Sequence, residues 1–324
     1  MQTVLKTSDA SYGGPARSTA FFPRLVRDLR RNFSAYLLIL PAVIIYLLFA
    51  YKPMYGVIIA FKNFSPAAGI LGSEWADSFG MQNFIDFFGS YYFWRLLKNT
   101  VVISITSLAF GFPAPIILAL LLNEIRNEKF KRTVQTISYM PHFISLVVVC
   151  GLIKLLTADT GVIVQMMSAF GFTPVSLLSK PQYFVPVYVI SGIWQEIGWG
   201  SILYLAALTG IDPGLYEAAK IDGANRWKQT LHVTLPGISG TIVIMLLFRL
   251  GGVMSVGYEK IILLYNEGIY DTADVISSFV YRKGLQQYQW SYSTAVGLFN
   301  SVINFILIVI FNKISRKLSD ISLW

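Results

Sequence analysis

Within the most apolar stretches of this 324-residue chain, polar side chains recur at helical spacing and require partners that lipid does not supply. Tyr188, Ser191, Gly192, Gln195, Glu196 and Trp199 fall at i, i+3, i+4, i+7, i+8 and i+11, one face of a helix. Ser293, Gly297, Asn300, Ser301 and Asn304 repeat the device at i, i+4, i+7, i+8 and i+11. Glu196 and Arg249 are ionisable, and a charge at bilayer depth costs at least about 2.5 kcal/mol unless it is paired or wetted. Both faces are therefore expected to point inward, and Glu196 and Arg249 to face one cavity. Flat aromatic rings beside amides and a carboxylate suit a sugar, whose apolar face stacks while its hydroxyls hydrogen-bond. Two alternatives stay open: Gln195, Glu196, Asn300 and Asn304 serve only as bonds between helices, and Arg249 either meets an acidic sugar or pairs with Glu196.

The chain lacks the groups for nucleotide chemistry. No Gly-x4-Gly-Lys-Ser/Thr segment occurs, so there is no loop to cradle phosphates. His142 and His232 are the only histidines, too few and too far apart for a histidine metal cluster, and His232 is expected as a cap or surface contact. Cys150 stands alone in an apolar run. No catalytic residue, metal site or resident cofactor is expected, and the chain is not expected to be an enzyme.

The elements that must position these groups are membrane helices. The chain is 55% apolar and 13% charged, more apolar surface than a soluble core absorbs. A bilayer core about 30 Å thick needs roughly 20 apolar helical residues per crossing. Six stretches qualify: 36–53, 100–122, 134–156, 184–208, 238–256 and 293–311. An all-α polytopic membrane protein with six transmembrane helices is expected. A basic tail, 1–33, precedes the first transmembrane helix, 34–53, and no cleavable signal is apparent. Lys and Arg number 6 in the tail, 4 in 123–133, 3 in 209–237 and 3 after the last span, against 4, 1 and 3 in the longer segments 52–99, 157–183 and 257–292. The positive-inside rule then puts both termini in the cytoplasm, Asn127 inside and Ser73 outside.

On the inner face, residues 211–236 read IDPGLYEAAKIDGANRWKQTLHVTLP and specify two short helices joined by a turn. Asp212 can cap a helix that opens on Pro213. Gly223 can take positive φ to end it near Asp222, and Asn225 can cap a second helix that ends near Pro236. Glu217-Ala218-Ala219, three residues, Gly223, nine residues, Val233, one residue and Leu235-Pro236 resembles the EAA loop of binding-protein-dependent ABC importer permeases, with Val where that pattern has Ile. The alternative for this loop is an amphipathic helix pair lying on lipid. The outer segment YEKIILLYNEGIYDTADVISSFVYRKGL is similar to the matching region of oligosaccharide and polysaccharide permeases.

The resemblance covers the permease core, residues 95–315, and implies a type I (MetI-like) permease fold. It also implies a heterodimer with a second, homologous permease, two ATP-binding subunits that carry ATP and magnesium, and an extracytoplasmic solute-binding protein, in a bacterial inner membrane. Glu217, Ala218, Ala219, Asp222 and Gly223 are then expected to couple to an ATPase subunit. Tyr188, Gln195, Glu196, Trp199, Arg249, Asn300 and Asn304 are expected along the pathway of an oligosaccharide or polysaccharide. A secondary transporter is the alternative function, although no paired, Gly/Pro-interrupted helices repeat between the halves.

Overall fold

The computed structural model describes residues 28 and 30–319. The rest of the basic tail and residues 320–324 lie outside the described residues. The chain divides into two compact units, Met1–Gly56 and Val57–Trp324. In the first, α1 (Phe33–Tyr46) contains Pro41 and buries none of its residues within the chain. Its apolar run continues to Phe61, so the first candidate span is longer than the expected 34–53.

The second unit opens with a small antiparallel pair, β1 (Lys62–Asn63) and β2 (Glu74–Trp75), in register Lys62 to Trp75. The buried Lys62 ammonium donates to the Leu71 and Ser73 carbonyls, both at 2.9 Å. The helices α2 (Gln82–Gly89), α3 (Tyr92–Gly111), α4 (Pro113–Glu124) and α5 (Glu128–Tyr139) follow. Then come α6 (Leu146–Thr157), α7 (Val162–Ala169) and α8 (Pro181–Leu208).

Among the described residues four runs are long and apolar enough to cross a membrane: Phe33–Phe61, Tyr92–Glu124, Leu146–Ala169 and Trp290–Lys317. A fifth is the pair Arg226–Gly237 and Ser239–Gly251, bent by 61° at its break. The fourth expected span, α8, has 28 residues, about 42 Å at 1.5 Å per residue. Its length suffices, but the polar face of Gln195, Glu196 and their neighbours keeps it out of the strongly apolar class.

Two expected spans are corrected. The stretch 134–156 is not one helix: α5 ends at Tyr139, and a 3-10 turn over Met140–Phe143 separates it from α6. Pro141 cannot donate into a helical ladder, and the Ser145 hydroxyl caps the new start by accepting from the Val148 N–H. The fifth span also stops short, because α11 (Ser239–Gly251) ends where 238–256 was expected to continue. Between them lie α9 (Pro213–Ile221) and α10 (Arg226–Gln229), and irregular backbone over 252–257 leads into α12 (Tyr258–Leu264). The chain then forms α13 (Ile276–Tyr281) and closes on α14 (Trp290–Ser319).

Close packing around α8 positions the site. Its Gly198 meets α5 so tightly that a Cβ there would overlap the Ser138 carbonyl. One apolar cluster ties it to α6 and α12 through Phe184, Val149, Ile153 and Ile261. Another ties it to α4 through Tyr204, Leu208 and Ala119.

The segment 258–285 is pinned to α3 by a buried carboxylate. Asp274 is 0% exposed, accepts from Arg282 at 2.6 and 3.1 Å and from Ser278 Oγ at 2.9 Å, and lies 3.6 Å from Arg95 Nη2. Asn99 donates to the Asp274 carbonyl, and the Ile276 N–H donates to Thr100 Oγ1. Burial alone would lower the Arg282 pKa, yet the hydrogen bonds and charge of Asp274 hold it above the ordinary guanidinium value. Asp274→Ala strands the Arg282 guanidinium and leaves Arg95 with Asp271 alone, at 3.4 Å, and a loss of about 3–5 kcal/mol is expected. The check is thermal unfolding in detergent: Asp274→Ala should lower the midpoint, and adding Arg282→Ala should cost less than the sum of the two single changes.

Candidate functional site

Irregular backbone at bilayer depth must find partners for its amides. The break at 252–257 finds them on side chains from three helices. Ser104 Oγ of α3 donates to the Val253 carbonyl. Asn304 Oδ1 of α14 accepts from the Met254 N–H at 3.0 Å, and Asn304 Nδ2 donates to Ser255 Oγ at 2.9 Å. Ser277 Oγ donates to the Val256 carbonyl at 2.8 Å. Asn304 stands near the middle of its own apolar run, so the break lies at mid-span depth.

Beside this break opens a cavity of about 770 Å³. Tyr188, Gly192, Gln195, Glu196, Arg249 and Lys260 line it, with backbone and small side chains of 252–257 completing one wall. Four of the seven expected pathway residues, Tyr188, Gln195, Glu196 and Arg249, therefore share one space. The other three do not line it. Trp199 stacks on His142, with centroids 4.5 Å apart and planes at 2°. Asn304 holds the broken backbone, and Asn300 is buried with its Oδ1 unpartnered.

Glu196 does not pair with Arg249. Its Oε2 lies 3.1 Å from His142 Nδ1, which enters from the 3-10 turn that broke the third span. His142 therefore joins the site because Pro141 interrupts the helix, and no spacing in the sequence signals it. Lys260 was also invisible, since it reads as one of the basic residues of an outer segment. In the structure it is 7% exposed and donates to the Tyr188 carbonyl at 3.2 Å.

The loop 211–236 forms the expected elbow. Asp212 Oδ1 accepts from the Gly214 N–H at 2.9 Å, and Pro213 opens α9. Gly223 has φ +76°. Its N–H donates to the Lys220 carbonyl and the Ala224 N–H to the Ala219 carbonyl, at 3.0 and 2.9 Å, the paired bonds of a Schellman stop. Asn225 Oδ1 caps α10 through the Lys228 N–H. The second arm differs in detail, running from α10 through a π turn, Thr230–Thr234, into Leu235–Gly237. Tyr216 and Thr234 hydroxyls, 3.1 Å apart, hold the arms together. Glu217, Ala218, Asp222 and Gly223 are exposed and Ala219 is half-buried. Ile221 and Trp227 add exposed apolar surface, at 86% and 69%. His232 is on the surface, with Nδ1 3.0 Å from the Lys228 carbonyl.

Helices of this length and polarity, a polar mid-span cavity and a capped helical elbow define a membrane permease. Residues 111–320 match the family described as binding-protein-dependent transport system inner membrane component, and the chain belongs to that family. It is 44% identical to the polygalacturonan/rhamnogalacturonan transport system permease protein YteP of Bacillus subtilis (strain 168), over 98% of this chain and 99% of that protein. It is 43% identical to protein LplB of the same organism, over 98% of each. Among solved structures, a chain of a bacterial ABC transporter that imports the acidic polysaccharide alginate superposes with a TM-score of 0.83 at 44% identity, covering 91% of this chain and 99% of that one. A chain of the bacterial alginate transporter in complex with alginate pentasaccharide-bound periplasmic protein gives 0.84 at 43%, covering 93% and 100%. The fold is the type I (MetI-like) importer permease fold.

Asn304→Leu removes the acceptor for the Met254 N–H and the donor to Ser255, so a loss of about 1–3 kcal/mol and a reshaped cavity wall are expected. A fall in the thermal midpoint of the purified protein checks this. An unchanged midpoint with reduced transport would instead assign Asn304 a direct role with solute.

Proposed function

We propose that this chain is one of two permease subunits of an ATP-driven importer for oligosaccharide or polysaccharide, alginate being one candidate. The single observation that carries this is the mid-span cavity walled by broken backbone and lined by Tyr188, Gln195, Glu196 and Arg249. Transport of polysaccharide by relatives alike over nearly the whole chain supports the substrate class. Solute delivered by a binding protein enters the cavity from outside, stacks on aromatic rings and exchanges water for amide and carboxylate partners. Trp199 and Asn300 extend the pathway where the second permease completes it. Access then alternates between the two sides as ATP is hydrolysed by two partner subunits. ATP and magnesium belong to those subunits.

Glu217, Ala218, Ala219, Asp222 and Gly223 form the coupling contact with an ATPase subunit. The small side chains of Ala218 and Ala219 permit close approach, Glu217 and Asp222 supply charge, and exposed Ile221 and Trp227 supply apolar surface for docking. Both termini lie in the cytoplasm in this reading, which makes the elbow cytoplasmic as well.

Two measurements test it. A Cβ on Gly223 would meet no atom of this chain within 4 Å, so within the chain Gly223→Val acts through the φ of +76°, at about 1–3 kcal/mol of strain. Ligand-stimulated ATP hydrolysis and uptake should fall together while membrane insertion persists, and Gly223→Asn, which tolerates positive φ, should retain more of both. For orientation, Ser73 is a poor probe, because it is buried and its hydroxyl bonds to Gly69 and Ser65. Exposed Ala67 replaces it: Ala67→Cys should react with an impermeant thiol reagent from outside and Glu128→Cys should not, with buried Cys150 silent.

A further inference from the structure

The cavity holds more positive charge than transport of a neutral sugar would need. Lys260 and Arg249 line it, and Glu196 is the one carboxylate among its lining residues. That carboxylate already has His142 at 3.1 Å. The Lys260 ammonium is held by the Tyr188 carbonyl at 3.2 Å and lies 5.0 Å from the centre of the Tyr188 ring. A carbonyl and a ring face orient an ammonium without neutralising it, and neither occupies all three of its donors. Gly192 lies beside it, where a Cβ would stand in ordinary contact, 3.5 Å from Lys260 Nζ.

A buried cation with no carboxylate of its own marks a place where an anion arrives. In a cavity of low dielectric, an ammonium or guanidinium gains a charge–charge attraction to a carboxylate that a neutral hydroxyl cannot supply. Arg249 offers a planar fork and Lys260 a rotatable point charge, so together they can follow a carboxylate as the sugar chain slides. We propose that Lys260, acting with Arg249, makes this permease selective for sugars that carry carboxylates, the uronate class of oligosaccharide. The proposal rests on the reading of the chain as a sugar importer and adds to it the residue that discriminates.

The test uses the complete complex in proteoliposomes with its own binding protein. Tetragalacturonate and tetramannuronate are each supplied as an equimolar mixture with the carboxyl-reduced, neutral counterpart, and both uptakes are read by mass spectrometry. The ratio of acidic to neutral uptake is compared between wild type and Lys260→Met, so the preference of the shared binding protein cancels. The ratio should fall at least 10-fold in Lys260→Met and stay within about 3-fold of wild type in Lys260→Arg, which keeps the charge. Lys260→Gln provides the same comparison if Lys260→Met does not assemble. An unchanged ratio, or equal losses of both sugars, would overturn the assignment. Uptake of none of the four sugars by wild type would instead contradict the sugar-import reading on which it rests.

Discussion

Every amide in a membrane interior must find a hydrogen-bond partner within the protein, and this structure is organised around a place where a helical span stops and side chains repair the loss. The helix α11 stops at Gly251, and three side chains take over the work of the missing turns: Ser104, Asn304 and Ser277, with Asn304 held in turn by the neighbouring Ser255 hydroxyl. Once those bonds are in place the backbone at 252–257 can stand beside a cavity in place of lipid. Everything polar in the spans follows from that. Residues that would be intolerable against acyl chains line the space or hold its wall.

Charge is distributed on the same logic. Asp274, fully buried, and Asp271 together balance Arg282 and Arg95 and fix the segment 258–285 to α3. Inside the cavity the balance is different, with two cations facing a carboxylate shared with His142. The first arrangement is a structural clamp and the second leaves capacity for a ligand. At the far end of α8, the elbow is rigid for local reasons: two side-chain caps, a glycine in the left-handed region and a hydroxyl pair between its arms. A rigid projection transmits force better than a flexible one, which suits a coupling contact.

Much of this was legible in the sequence because it depends on local chemistry. Asp212-Pro213, Gly223 and Asn225 specify their caps and turn without reference to distant contacts, and the elbow matches them. The periodic face of α8 put Tyr188, Gln195 and Glu196 on one side, and the three line one cavity. What could not be read depends on how far a helix continues. Pro141 interrupts the third span and swings His142 onto Glu196, and the end of α11 brings Lys260 from an apparent outer loop into the cavity. Asn304 shares the inward periodicity of a pathway residue, but its partners are the amides of another span, and spacing alone does not separate those two fates.

The central claim is that this chain is the membrane path of an ATP-driven importer. Its most direct test is uptake of labelled oligosaccharide into proteoliposomes holding the complete complex, with binding protein outside and ATP trapped inside. The account predicts uptake that requires internal ATP and persists after protonophore and ionophore abolish every ion gradient. Uptake that proceeds without ATP and collapses with the gradient would contradict it and make the cavity that of a secondary transporter.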